Sequence, residues 1–323
     1  MDKTYKKLLY ELHWNARQTY SQLAKKIGVS KQVARYRAEQ LAKNGVLKST
    51  HAVIDWRKLG YDALRIYVKW QNISPETEKE IYAFLREDPL FMWTVKFEGE
   101  IDIAFYVWVK EIPEFSKRWF SFLARYRKHI LRYEVYESVE MIHYPMKFLV
   151  EKPSRAELVI GRGGKADYDA KDYEVLRALT EDARMPVTAI AKRVGLTPKG
   201  AIYRIRQLEQ EGIVIGYYAL IDAEKIGVEF YKIDFYLNDL SRLSEMEEYA
   251  KQHKNVVYRM RTIGGPDLEI EIAVANASEM KKVTEEFRKR FPREIHSSRF
   301  HRFEYTLKQI YLPGETVTSS ARK

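Results

Sequence analysis

Sliding the chain against itself by 167 positions aligns residues 16–60 with residues 183–227 without a gap. Ala16-Arg17 falls on Ala183-Arg184, Gly28 on Gly195, and Tyr36-Arg37 on Tyr203-Arg204. Gly45 meets Gly212, Ile54-Asp55 meets Ile221-Asp222, and Gly60 meets Gly227. About a third of the aligned positions are identical, and most others exchange like for like. Self-similarity at a fixed offset means one unit used twice, so any fold has to be assembled from two copies.

Each copy opens with the same local pattern. Leu8, Leu9 and Leu12 fall on one face of a first helix, and Leu23 and Ile27 on one face of a second. Gly28 suits the left-handed conformation that ends a helix, and Ser30 is a good N-cap for a third helix running to about Asn44. Val33, Ala34, Tyr36, Ala38 and Leu41 form its expected inner stripe. The second copy has Thr197 as the cap and Pro198 at the first helical position. Three helices with a tight glycine turn before the last make a helix-turn-helix. Gly45-Val46-Leu47 with Ala52-Val53-Ile54, and residues 212–221 in the second copy, predict a two-stranded wing within each copy.

The rest of each copy alternates strand and helix. Strands are expected at residues 64–68, 91–97, 101–109 and 131–142, with helices opening at Ser74 and Pro113. The second copy repeats this order from Phe230 to Tyr311. The order βαββαβ fits a ferredoxin-like sandwich. The expected fold is therefore α+β, with a winged helix-turn-helix at 1–60, a sandwich domain at 61–150, a linker at 151–166, a second winged domain at 167–227 and a second sandwich at 228–323. Pro153 and Gly161-Arg162-Gly163-Gly164 make the linker look flexible.

Charge is divided unevenly between the copies. Lys and Arg exceed Asp and Glu by 11 overall. Residues 1–60 carry thirteen basic and four acidic side chains, whereas residues 167–227 carry nine and ten. The first winged domain is thus the natural seat for a polyanion. The chain has no cysteine, which excludes disulfides, thiolate nucleophiles and the common structural zinc sites. No stretch approaches the ~18 apolar residues of a membrane helix, and nothing at the N-terminus resembles a signal peptide, so a cytoplasmic address is expected.

A helix-turn-helix leading through a wing into βαββαβ resembles the Lrp/AsnC family of archaeal and bacterial transcription regulators. The second copy is the closer match, with Gly212-Ile213-Val214-Ile215-Gly216-Tyr217-Tyr218-Ala219-Leu220-Ile221-Asp222 similar to the family's wing and following strand. The first copy departs from the family there, with Ser49-Thr50 in place of Gly216-Tyr217. Both copies carry a Gly-x-x-Asp turn, Gly99-Glu100-Ile101-Asp102 and Gly264-Gly265-Pro266-Asp267. The resemblance covers all but the linker and tail, and it implies a regulator of double-stranded DNA. Family members carry one such unit, so the tandem arrangement is a departure.

In such folds the N-terminal half of the third helix enters the major groove. That half presents Lys31, Gln32, Arg35 and Arg37 in the first copy, and Lys199, Gly200, Tyr203 and Arg204 in the second. Arg and Lys can donate to guanine, and Gln can pair with adenine. Arg37 and Arg204 suit either a phosphate contact or an internal brace to the first helix. The resemblance places a small-molecule effector such as an amino acid near Gly99 and Asp102, and near Gly264, Gly265 and Asp267. The same residues also suit tight hairpins, where Gly allows positive φ and Asp makes a local turn bond. Glu98 and Glu100 crowd the first turn with negative charge.

An enzyme has little support in the sequence. No His-x-x-x-His spacing is present, and the Gly161 run lacks the Lys-Ser/Thr of a phosphate loop, so no metal or cofactor is expected. Arg57-Lys58-Leu59-Gly60-Tyr61 weakly resembles siroheme decarboxylases, which share this domain pair, but Ala63 and Leu64 stand where Asn and Met are expected. A chromatin protein coating DNA with little sequence preference is the rival non-enzymatic reading. The two sandwich sheets are expected to pair face to face within one chain, with further association of whole chains.

Overall fold

The computed structural model describes residues 2–89, 91–153 and 156–314. Ser154 and Arg155 of the expected linker, and positions 315–323 of the second sandwich domain, lie outside the described residues. Helices α1 (Lys3–Trp14), α2 (Tyr20–Ile27) and α3 (Lys31–Lys43) lead into β1 (Leu47–Ile54). The first sandwich comprises β2 (Asp62–Trp70), α4 (Pro75–Glu87), β3 (Phe91–Gly99), β4 (Ile103–Val109), α5 (Ile112–Tyr126) and β5 (Ile130–His143). A short β6 (Leu158–Ile160) precedes α6 (Ala170–Glu181), α7 (Val187–Val194), α8 (Pro198–Gln210) and β7 (Val214–Ile221). The second sandwich comprises β8 (Glu229–Leu237), α9 (Leu243–Gln252), β9 (Val256–Ile263), β10 (Leu268–Val274), α10 (Ala277–Arg290) and β11 (Ile295–Gln309).

Strand alternation sends successive side chains to opposite faces. On β2, Leu64, Ile66 and Val68 pack beneath Ile81 and Leu85 of α4 and Phe115, Trp119 and Phe122 of α5. In the second copy Ile233, Phe235, Ile270 and Ile272 lie beneath Met246 of α9 and Val283 and Phe287 of α10. The other face carries Arg65 and Tyr67 on β2, Lys232 and Asp234 on β8, and Glu269 and Glu271 on β10.

These helix-free faces look at each other. Arg65 of the first copy lies 2.9 Å from Glu269 of the second. Tyr106 reaches across from β4 to the sulfur of Met260 on β9 at 3.8 Å. The sheets are also zipped along both edges. Residues 130–138 of β5 pair with β2 and residues 137–143 pair with β9. Equivalently, residues 295–302 of β11 pair with β8 and residues 301–309 pair with β3. The strands therefore run in a closed ring, β2-β4-β3-β11-β8-β10-β9-β5 and back to β2, with β6 added outside β5. Closure leaves the ring no free sheet edge.

Two expectations need correction. Neither copy forms its own two-stranded wing. Each contributes one continuous strand, and β1 pairs antiparallel with β7, with Ala52 opposite Tyr217 and Val53 opposite Gly216. The flexible linker is also clipped down. Its residues 158–160 pair with β5, and the Gly161 and Gly163 N–H groups donate to the Asp55 carboxylate at 3.1 and 3.2 Å. Gly161 has φ +95°, and a Cβ there would lie 2.8 Å from the Val139 carbonyl oxygen, so only glycine fits.

Candidate nucleic-acid interface

The helix-turn-helix is set by local chemistry. Thr19 and Gln22 form a capping box on α2, and Gly28 ends that helix at φ +75°. The Ser30 side chain then accepts from Val33 N–H at 3.2 Å to start α3. In the second copy Gly195 adopts φ +67°, and Thr197 accepts from Gly200 N–H at 3.1 Å. Ala34, Ala38 and Leu41 anchor α3, and Ala201, Ile205 and Leu208 anchor α8.

Lys31, Gln32 and Arg35 lie on the exposed face of α3, and Lys199 and Tyr203 on that of α8. Arg35 pairs with Glu39 one turn on at 2.7 Å, an exposed contact that a stronger acceptor could displace. Arg37 turns inward instead. It donates to Asp2 at 3.1 Å and lies over the Tyr5 ring at 4.6 Å. Arg204 does the same in the second copy, reaching Asp169 at 2.9 Å and Asp172 at 2.7 Å. Both arginines brace α3 or α8 to the N-terminus of the first helix of their own copy. Gly200 lies 3.3 Å from the Thr197 hydroxyl by its absent Cβ and serves the cap.

Val33 and Tyr36, expected in the inner stripe, face outward at 39% and 60% exposure. Their partners in the second copy, Ile202 and Tyr203, are 39% and 67% exposed. Tyr36 was missed as a surface group because a single aromatic on a short helix fits either face; its alignment with Tyr203 was the available signal. Lys3, Lys6, Lys7 and Lys26 line, together with Glu11 and Glu151, an open groove of about 660 Å³ between α1, α2 and residues 148–152.

The two helix-turn-helix units are locked together. Arg17 donates to the Ala183 carbonyl and, at 3.4 Å, to that of Met185. Arg184 donates to the Ala16 and Gln18 carbonyls at 2.5 and 3.0 Å. Ala16 N–H bonds the Tyr217 carbonyl at 2.8 Å, and Ala183 N–H bonds that of Thr50 at 3.0 Å.

The Gly-x-x-Asp residues sit at the outer ends of the sandwich hairpins. Asp102 accepts from Trp70 N–H and from Lys69, both at 2.7 Å. Asp267 accepts from Leu237 N–H at 2.7 Å. Gly99 and Gly264 have φ +142° and +83°, and a Cβ on Gly265 would lie 2.5 Å from the Thr262 hydroxyl. Each Asp thus caps the end of the first strand of its sandwich, β2 or β8.

A second feature lies between the winged pair and the barrel. A cavity of about 260 Å³ is walled by α1, β1 and β7 on one side and by the barrel on the other. His13 and His143 meet there edge to face at 4.7 Å, and His143 stacks on Tyr258 at 4.6 Å. Burial pushes His13 down to about 4 and His143 well below the usual imidazole range, so both are neutral at physiological pH. Among the described residues no cluster of three or more His, Asp or Glu side chains could hold a metal ion.

The winged helix-turn-helix DNA-binding family matches the chain twice, over residues 1–48 and 168–215. The proline dehydrogenase transcriptional activator of Rhizobium radiobacter is 33% identical over 96 residues, covering 29% of this chain and 56% of that protein. Regulatory protein AsnC of Haemophilus influenzae is 40% identical over 61 residues, covering 19% of this chain and 41% of that protein. The chain thus spans about half the length of these relatives. The solved structure of siroheme decarboxylase NirDL has the same fold over 95% of this chain and 93% of its own, with a TM-score of 0.63 at 15% identity. The molecule is a tandem winged helix-turn-helix protein with paired α+β domains. Each of the two matches falls in one copy of the repeat, and the relatives the chain resembles are transcription regulators.

Proposed function

We propose that the chain is a sequence-reading regulator of transcription that binds double-stranded DNA through α3 and α8. The observation that carries this reading is the reciprocal clasp between the two winged domains. It fixes the exposed faces of α3 and α8, with Lys31, Gln32, Arg35, Tyr36, Lys199 and Tyr203, on one rigid body. Dimeric helix-turn-helix proteins read two half-sites with such a pair. The charge difference makes the first copy the stronger reader.

Base reading predicts a large ratio of specific to non-specific affinity, whereas a chromatin coat predicts a small ratio with a steep salt slope. Selection of bound fragments from genomic DNA, followed by titration of the selected and a scrambled duplex across salt, separates them. Equal affinity for both duplexes overturns the regulator reading. An amino-acid effector at the Gly-x-x-Asp turns, association of whole chains and a cytoplasmic address belong to the same proposal. Calorimetry with amino acids and light scattering test the first two.

The enzymatic reading draws on the whole-chain likeness to a siroheme decarboxylase. Its four linked rings would each need on the order of the ~150 Å³ in which one benzene sits. The cavity of about 260 Å³ is too small for that. We read the chain as non-catalytic, and loss of the carboxylate from siroheme on incubation with the protein would refute this.

A further inference from the structure

The cavity between the winged pair and the barrel has the marks of a binding site. Its walls are mostly apolar and include the aromatic side chains of Trp93, Trp108, Tyr218, Tyr258 and Phe303. Buried polar atoms are nearly always hydrogen-bonded. Here the indole nitrogens of Trp56 and Trp108, His13 Nδ1 and His143 Nε2 have no partner among the described residues. Trp56 and His13 are 4% exposed and His143 is 2% exposed, so bulk water does not satisfy them. Unsatisfied polar atoms gathered on one cavity call for a polar group inside it.

The charges along the barrel wall say what kind of group. Arg65 is committed to Glu269 at 2.9 Å. Lys232 is committed to Asp234 and, at 2.8 Å, to Glu269. His301 lies 3.5 Å from Asp234. The side chain of Glu271, which lines the cavity on the same strand as Glu269 and stands opposite Lys232 of β8, makes no direct hydrogen bond or ion pair among the described residues. Arg65 and Lys232 act on Glu271 only at longer range because Asp234 and Glu269 engage them directly, so the carboxyl has no bonded counter-ion and is suited to an incoming ammonium group. The volume of about 260 Å³ exceeds the ~150 Å³ that holds a benzene and falls just short of the ~300 Å³ at which drug-sized pockets begin. It therefore takes one ring and a short arm.

We infer that this cavity binds a small aromatic molecule carrying a primary amine, with the ring among the aromatic walls and the ammonium at Glu271. The source is an aromatic amino acid or its decarboxylated amine. The site is separate from the Gly-x-x-Asp turns, and its occupancy does not depend on the DNA-binding reading.

Trp56, Trp93 and Trp108 supply the readout, because their indole emission changes when the cavity fills. Phenethylamine, L-phenylalanine and phenylacetate are titrated against the full chain with excitation at the red edge of the indole band. Both amines are expected to give a saturable change, and phenylacetate is not. Tighter binding of L-phenylalanine identifies the amino acid as the source, with its carboxylate taken by the free indole N–H groups. Tighter binding of phenethylamine identifies the amine. Glu271→Gln should weaken both by about tenfold or more, and Ala219→Leu, which fills the cavity from β7, should abolish the change. No saturable change with either amine at millimolar concentration overturns the inference. So does phenylacetate binding as tightly as the amines, an arm that uses the unmodified protein and so stands even if a variant fails to fold. Unchanged amine binding by a folded Glu271→Gln variant does the same.

Discussion

Arg17 and Arg184 occupy equivalent positions in the two copies, and each donates to backbone carbonyls of the other copy's turn before its second helix. One repeat thus supplies its own partner, and the clasp is built twice from the same residue. Arg17 also lies 5.6 Å above the Tyr217 ring, and Arg184 lies 4.6 Å above Tyr20. Removing either side chain leaves half-buried carbonyls without a donor, at about 1–3 kcal/mol. Arg17→Ala and Arg184→Ala should each lower the urea midpoint. The double variant should lose less or more than the sum, because both act on one interface. Strict additivity would mean the clasps are independent.

The barrel lumen is a second junction between the copies. Arg65 and Glu269 are 2% and 0% exposed and come from different halves, so each is the other's counter-charge away from water. Breaking such a pair on one side costs about 3–5 kcal/mol, mostly from the charge left behind. Glu269→Ala should therefore destabilise the chain by that order in chemical denaturation. A combined Arg65→Met/Glu269→Leu variant should recover much of the loss, as removing both charges removes the desolvation penalty with them.

Two lumen carboxyls make opposite contributions with pH. Burial would raise Asp234, but Lys232 and then His301 outweigh it and hold the carboxyl at about 2, against 3.8 for the free group. Its depressed value means stability that is present above pH 3.8 and lost as pH falls through about 2. Burial pushes Glu271 from 4.5 up to about 7. Its raised value means stability that is full below pH 4.5 and lost as pH rises through about 7. Without ligand, Glu271→Gln should match the wild type at pH 4.5 and exceed it by about 2–4 kcal/mol at alkaline pH. Parallel melting curves across pH would disprove the assignment.

The βαββαβ order was legible because each element carries its own period: β2 and β8 alternate, and α5 repeats Phe115, Trp119 and Phe122 at helical spacing. The paired copies were legible from the offset between Arg17 and Arg184. The β1–β7 ribbon was not. The segment from Leu47 to Ile54 has the same local pattern whether it folds back on itself or pairs with a strand 167 residues away. The linker differs from its sequence expectation because glycine signals freedom in sequence, whereas Gly161 and Gly163 allow close approach to Asp55. The sequence does not choose between the two roles of Arg37 and Arg204, because the choice depends on Asp2 and Asp169, a whole helix-turn-helix away. The environment of the Glu271 side chain depends on Arg65 of the first copy and Lys232 of the second, and has no sequence signature.

The braces sharpen the test of DNA reading. Since Arg37 and Arg204 are engaged with Asp2 and Asp169, their removal should lower the melting temperature and weaken binding to every duplex alike. On the proposed reading, base contacts are expected from the exposed Lys31, Gln32 and Arg35 in the first copy and from Lys199 and Tyr203 in the second. Residues 1–60 carry a net +9 and residues 167–227 a net −1. Each phosphate neutralised releases condensed counterions, so the first copy should supply most of the affinity and most of the salt slope. Asp167, Asp169, Asp172 and Glu174 sit at the start of α6 and oppose a DNA backbone lying near the second copy. Lys31→Ala/Arg35→Ala should lower affinity for the selected duplex by about tenfold or more and flatten the salt dependence. Lys199→Ala/Arg206→Ala should do less of both. Binding isotherms at several salt concentrations decide it, and equal losses from the two pairs would show two equivalent readers.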